Sequence, residues 1–276
     1  MKKQRSSDSI ITFGIVADLQ YCNANPEINR YFRNAPKKLK QAITEFNQHD
    51  LDYVINLGDT IDRDWKSFDE ILPVFSLLKA PIYHVLGNHD YEVEDRYKPK
   101  VPKKIGTKKY HDFSLKNWRF IVLDGNEIST YANQKNETNY QKAEIWLKEE
   151  KINANFWNGG IGSVQLDWLE KTLKKAEENY ENAIIFCHFP IYPAHRHNLL
   201  NDKELIQLIS NCNCVKAWFC GHNHDGNYGR LNDVHFINVK GMADFESELA
   251  FSIVQLDEKK ITITGFGHEI TATLIL

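Results

Sequence analysis

The chain has 276 residues, a net charge of −3, and 42% hydrophobic against 26% charged residues. That length accommodates one large α/β domain with a substantial core, or two small domains. The charge balance excludes binding to nucleic acid or an anionic membrane through overall charge, and leaves nucleotide-sized ligands open.

The stretch "MKKQRSSDSIITFGIVAD" starts basic and turns polar before a short β-branched run that ends on Asp18. It lacks the apolar core and small-residue cleavage site of a secretory leader, so it reads as the first strand. No run approaches the roughly 20 apolar residues that span a bilayer. Five cysteines at this length suggest no disulfide framework. Cys212, Cys214 and Cys220 lack paired zinc spacing and read as buried free thiols. A cytoplasmic protein is expected.

Continuing along the chain, "PKKLKQAITEFNQHD" places Leu39, Ala42, Ile43 and Phe46 on one helical face behind Pro36. "YVINL", "PIYHVL" and "RFIVLD" follow as strands. "SVQLDWLEKTLKKAEENY" is a second helix, with Leu166, Leu169, Leu173 and Ala176 on its inner face and Ser163 as N-cap. "AIIFC" and "VKAWFC" are again strands. "VHFINVKGM", "LAFSIVQLD" and "KKITITGFGHEITATLIL" read as three successive strands, the last two joined at "DEKK". They suggest a second, more antiparallel sheet. Apolar strands alternating with amphipathic helices predict a layered α/β protein. With no linker or repeat, residues 1–276 read as one domain with insertions near 92–112 and 126–160. The first insertion carries six lysines between Lys98 and Lys109, and the second is polar and Asn-rich.

The strand ends carry the chemistry. They lead to Asp18 and Gln20, to Gly58-Asp59, to Gly87-Asn88-His89-Asp90, to His188, and to Gly221-His222-Asn223-His224. Open α/β sheets place their sites beyond the carboxyl ends of the strands. Taken singly, a Gly-Asp is a turn and a lone histidine is a structural residue. Five strands that each end on an oxygen or imidazole donor point instead to a metal centre.

This ordered set, D-x-Q, GD, GNHD, H and GHxH, resembles the calcineurin-like metallophosphoesterases over nearly the whole chain, although their first element is more often D-x-H. The resemblance implies a four-layer α/β/β/α sandwich, two mixed sheets flanked by helices, with two divalent ions at the join. It implies that Asp18, Gln20, Asp59 and His224 surround one ion. Asp59, Asn88, His188 and His222 would surround the other, with Asp59 bridging. Two such ions, about 3.5–4 Å apart, share a hydroxide for in-line attack and neutralise phosphoryl charge. His89 is then the candidate to protonate the departing oxygen or stabilise the developing charge, with Asp90 orienting it, and Arg63 either contacts a phosphate or forms a surface salt bridge.

The amide of Gln20 is a weaker donor than imidazole. The donor set suits Mn²⁺, and Fe, Co or Zn are also accommodated. "ADLQY", "FWNGGIGSVQLDWLEKTL" and "CHFPIYP…FCGHNHDGNYG…VHFINVKGM" are similar to one branch of that family, the manganese-dependent ADP-ribose/CDP-alcohol diphosphatases. The similarity implies cleavage of pyrophosphate bonds in ADP-ribose, CDP-choline and related small nucleotide diphosphate compounds, with no nucleic acid or membrane partner. Candidate substrate contacts are Tyr131, Tyr140, Phe156 and Trp157 for stacking, while "NGG" from Asn158 through Gly159 to Gly160 either presents backbone amides to phosphate or is a plain turn into the Ser163-capped helix. Trp146 fits a helix interior, the lysine-rich segment either steers an anion or is a solvated loop, and His195 and His197 follow a ligand strand. The same cage also serves phosphodiesterases on cyclic nucleotides or glycerophosphodiesters and phosphomonoesterases. A binding protein that keeps only the fold is the alternative of another class. The oligomeric state is not legible.

Overall fold

The computed structural model describes residues 10–149 and 155–276. Strand β1 (Ile11–Val16) shows how the sequence builds the layers. Its side chains alternate, as a strand's must. Phe13 and Ile15 enter a core between two sheets, and Val16 joins a core beneath helices. On that outer face a Cβ at Gly14 would lie 2.7 Å from the Phe46 ring, so only glycine lets the helix sit this close.

The chain continues through α1 (Ala35–Phe46), β2 (Tyr53–Asn56), α2 (Ser67–Phe75), β3 (Ile82–His84), α3 (Val101–Ile105), β4 (His111–Leu115) and β5 (Trp118–Val122). Then come α4 (Thr138–Glu149), α5 (Ser163–Glu178), β6 (Asn182–Phe186), α6 (Asp202–Ser210) and β7 (Val215–Cys220). The chain closes with β8 (Asn227–Leu231), β9 (Val234–Asn238), β10 (Ala250–Leu256), β11 (Lys260–Gly267) and β12 (Ala272–Ile275).

Two six-stranded sheets result, ordered β12-β11-β10-β1-β2-β3 and β4-β5-β6-β7-β9-β8. Each is mixed: β1-β2-β3 and β5-β6-β7-β9 run parallel, and their outer neighbours run antiparallel. The sheets pack face to face through aromatic rings. Phe13 stacks on Tyr53 at 4.8 Å and meets Phe120, Phe186 and Phe219 of the opposite sheet edge-on. Leu39, Ala42, Ile43 and Phe46 of α1 cover one outer face, and Leu166, Leu169, Leu173 and Ala176 of α5 cover the other. This is the four-layer α/β/β/α sandwich.

Three local expectations are corrected. The C-terminal strands do not form a sheet of their own, because β10 pairs antiparallel with β1 and extends the first sheet. Chain order could not reveal that β1 had a free edge. "KKITITGFGHEITATLIL" is two strands, β11 and β12, separated by a reversal at Gly267 with φ 68°. Ser163 is the first residue of α5 rather than its cap, and the Gly162 N–H is taken instead by Glu127 Oε2 at 3.0 Å. The cysteines are free, with Cys214 and Cys220 buried and Cys212 half-buried. Among the described residues no helix is long and apolar enough to cross a membrane.

Candidate metal centre

Five strand ends converge where the two sheets meet. Asp18 and Gln20 follow β1, Asp59 follows β2, Asn88 and His89 follow β3, His188 follows β6, and His222 and His224 follow β7. Four of these residues have left-handed backbone: Asp18 (φ 53°), Gln20 (45°), Asp59 (51°) and His222 (67°). Non-glycine residues rarely adopt that region, and those that do gather at functional sites. The glycines of the motifs make room for carboxylates. A Cβ on Gly87 would lie 2.1 Å from Asp59 Oδ1, and one on Gly221 2.6 Å from Asp18 Oδ2.

Hydrogen bonds from outside the centre aim the donors. His188 Nδ1 donates to the Leu57 carbonyl at 2.8 Å, leaving Nε2 3.1 Å from Asn88 Oδ1 and 3.3 Å from Asp59 Oδ2. His224 Nδ1 donates to Asp244 Oδ1 at 2.8 Å, with Nε2 3.7 Å from Asp18 Oδ1. Fixing one ring nitrogen in this way presents the other as a ligand. The loop that carries Asp244 is itself clamped by Lys38 of α1, whose ammonium donates to the carbonyls of Met242, Asp244 and Phe245. Gln20 Nε2 donates to Asp59 Oδ2 at 3.1 Å.

The donors fit a cation. Asp18 and Asp59 are 0% and 1% exposed, and among the described residues neither meets a lysine or arginine. Burying such charge unpaired is costly. Gln20 Oε1 and His222 Nε2 are buried without partners, and ligand atoms of Asp59, His188 and His222 lie within 4.8 Å of one another. Burial raises the Asp18 carboxyl. At Asp59 burial acts the same way, but the His188 and His89 imidazoles outweigh it and hold the carboxyl well below the usual range. At His188 burial disfavours the proton, yet the Asp59 charge outweighs burial and lifts the ring to about 9. Positive charge is therefore favoured among these atoms, and carboxylate, amide and imidazole together suit divalent ions such as Mn²⁺.

The remaining expected residues divide. His89 lines the pocket, its Nδ1 3.0 Å from the Asp62 carbonyl and 3.5 Å from Asp62 Oδ1. Asp62 therefore takes the orienting place expected of Asp90. The Asp90 carboxylate instead accepts backbone N–H groups from Thr60, Ile61 and Gly87, tying the β2 and β3 loops together. Burial, reinforced by the Asp59 charge, lifts it to about 7. Arg63 is turned away, held by Asp62 and Glu27. Asn158 is buried and donates to the carbonyls of Arg196 and Asn198, and Gly159 packs on the Gly125 carbonyl; neither lines the pocket.

The centre forms the floor of a cavity of about 470 Å³. Of the aromatic candidates, Phe156 and Trp157 stand on its wall beside His197. Tyr131 is buried and donates to Asn126, and Trp146 packs on Gly160 away from the wall. None of the six lysines of the first insertion reaches this wall: Lys104 pairs with Asp69 and Lys98 with Asp95. Ile28, Arg30, Glu92, Arg196 and Asp225 also line the cavity, and sequence reasoning missed all five. It also missed Asp62 and Asp244. Asp244 was findable, since it follows β9 just as the ligands follow the other parallel strands.

The chain matches the family model of the calcineurin-like phosphoesterases over residues 11–226. It is 27% identical to a manganese-dependent ADP-ribose/CDP-alcohol diphosphatase of Bos taurus, covering 95% of this chain and 93% of that protein. A protein of the same name from Oryza sativa is 29% identical, over 94% of this chain and 92% of its own length. Among solved structures, a dimetal phosphatase from Danio rerio superimposes with a TM-score of 0.87 at 23% identity, covering 97% of this chain and 99% of that one. The last likeness speaks for the fold.

Proposed function

The chain belongs to the calcineurin-like phosphoesterase family, and from that premise we propose that it cleaves the pyrophosphate bond of small nucleotide diphosphate compounds, such as ADP-ribose or CDP-alcohols, with Mn²⁺ as its metal. Family membership makes it a metal-dependent phosphoesterase, a hydrolase with a dinuclear centre. The observation that carries the reading is a pair of buried carboxylates, Asp18 and Asp59, met by histidine rings but by no lysine or arginine among the described residues, at a centre whose Asp59 lines an aromatic-walled cavity. The full-length similarity to proteins named as such diphosphatases supports the substrate class.

Asp18, Gln20, Asp59 and His224 would hold one ion, and Asp59, Asn88, His188 and His222 the other. When bound, the ions supply positive charge to the phosphoryl oxygens and a water acidic enough to attack near neutral pH. The protein's own groups do the rest. Asp62 secures Nδ1 of His89, so Nε2 is the ring atom free to give a proton to the departing oxygen. Asp244 keeps the His224 ring turned towards Asp18. Asp90 holds the β2 and β3 loops in register, which sets the spacing between Asp59 and Asn88. Trp157 and Phe156 offer flat apolar faces to a nucleobase.

Metal-stripped protein re-supplied with Mn²⁺ should release AMP from ADP-ribose and CMP from CDP-choline, with little action on cyclic AMP or p-nitrophenyl phosphate. Preference for a cyclic or simple ester would replace the pyrophosphatase reading with a phosphodiesterase or monoesterase one. No turnover of any of the four under any divalent metal would contradict catalysis altogether.

A further inference from the structure

Arginine pairing separates two residues from the rest. Arg33 is bound to Asn23 and Asn25, Arg63 to Asp62 and Glu27, Arg96 to Glu94, Arg119 to Asp112 and Glu181, and Arg230 to Asp233. The other two arginines among the described residues are Arg30 and Arg196, whose guanidinium groups have no hydrogen bond, ion pair or ring contact there. Both line the metal cavity.

Their placement is complementary. The backbone of Arg30 bridges to Asp244, the residue that holds His224, so Arg30 stands beside the Asp18–His224 half of the cage. The carbonyl of Arg196 is fixed by Asn158 at 2.8 Å. Next to it in the chain, the His197 ring packs 5.2 Å from His222 of the other half, and Arg196 lines the cavity on that loop. Two ions suffice for the one phosphoryl group under attack. A diphosphate brings a second negatively charged phosphoryl group, whose bridging oxygen His89 can protonate but whose other oxygens need partners of their own. A planar guanidinium matches paired phosphoryl oxygens with two parallel hydrogen bonds, and an unpaired one gives up no existing ion pair to do so.

We propose that Arg30 and Arg196 form a clamp across the mouth that binds the phosphoryl group not under attack, making the centre selective for diphosphates over monoesters. The assignment rests on the diphosphate reading above and names the residues that enforce it. Arg63, the arginine nearest the motifs in sequence, is excluded by its ion pairs.

The test is calorimetric titration of the Mn²⁺-loaded protein with α,β-methylene-ADP, which is not hydrolysed at its P–C–P bridge, and with AMP. Arg30→Gln and Arg196→Gln should each weaken α,β-methylene-ADP at least tenfold and AMP less than threefold. Mn²⁺ content and melting temperature should stay unchanged. Equal loss for both ligands, or no loss for either, would overturn the clamp. So would an unsubstituted protein that binds AMP as tightly as the diphosphate analogue. If the unsubstituted protein hydrolyses simple esters in preference to ADP-ribose, the pyrophosphatase reading fails by itself, and the binding ratio still decides the role of the arginines.

Discussion

At the floor of the cavity Gln20, Asp59 and Asn88 are at most 3% exposed, whereas on its rim Ile28 is 99% and Phe156 66% exposed. The floor hangs from the ends of parallel strands. Its residues are pinned by backbone carbonyls, by glycines that admit no side chain, and by the Lys38 clamp behind Asp244. The rim is made of loops, and its two arginines have no partners in the described structure. One region is rigid and shared by every substrate, and the other is open and meets only the parts of the substrate that differ. Reaction type is therefore built into the sheets, and substrate choice into the loops.

That division can be broken at the floor first. Asp59→Asn removes the carboxylate proposed to serve both ions. Activity should fall by more than the ~10²–10³ that a single lost hydrogen-bond donor costs, and elemental analysis should find less than full metal. Full occupancy would show that Asp59 is not shared. His89→Ala should slow turnover by roughly 10²–10⁴, the range for a proton donor, while both ions stay bound. Asp62→Asn should give a smaller loss of the same kind. Near-normal turnover in His89→Ala would remove it from the chemistry.

On the rim, Trp157→Ala should raise KM for ADP-ribose about tenfold, within the ~1–3 kcal/mol typical of base–aromatic stacking, and leave p-nitrophenyl phosphate turnover alone. An equal effect on both substrates would mean that the wall shapes the floor, and the two regions would not be separable. The smallest effect is expected at Gln20→His, where imidazole replaces a neutral amide oxygen. Mn²⁺ should be retained a few-fold more tightly in a titration against a chelator. An unchanged titration would show that Gln20 is not a donor.

The same contrast explains what could be read from the sequence. Strands announce themselves by apolar runs, and a donor at the end of each is a local pattern, so Asp18, Gln20, Asp59, Asn88, His188, His222 and His224 were all visible before any fold was known. The pairing of β10 with β1 was not, because edge-to-edge contact between distant strands leaves no local mark. That Asp62 takes the place expected of Asp90 was hidden for a similar reason. Both stand near His89 in the fold, and only the course of the loops decides which carboxylate meets the ring and which meets backbone N–H groups. Arg30 and Arg196 lie far apart in a chain that has other arginines of similar local character. Only the fold shows that these two are the unpaired ones and that they share a cavity.

The most direct measurement of the central claim is anomalous diffraction from crystals grown with Mn²⁺. Two peaks are predicted, both in contact with the Asp59 carboxylate. One should also touch Asp18, Gln20 and His224, and the other Asn88, His188 and His222. A single peak, or two peaks of which one lies away from Asp59, would contradict a dinuclear centre assembled from these five strand ends.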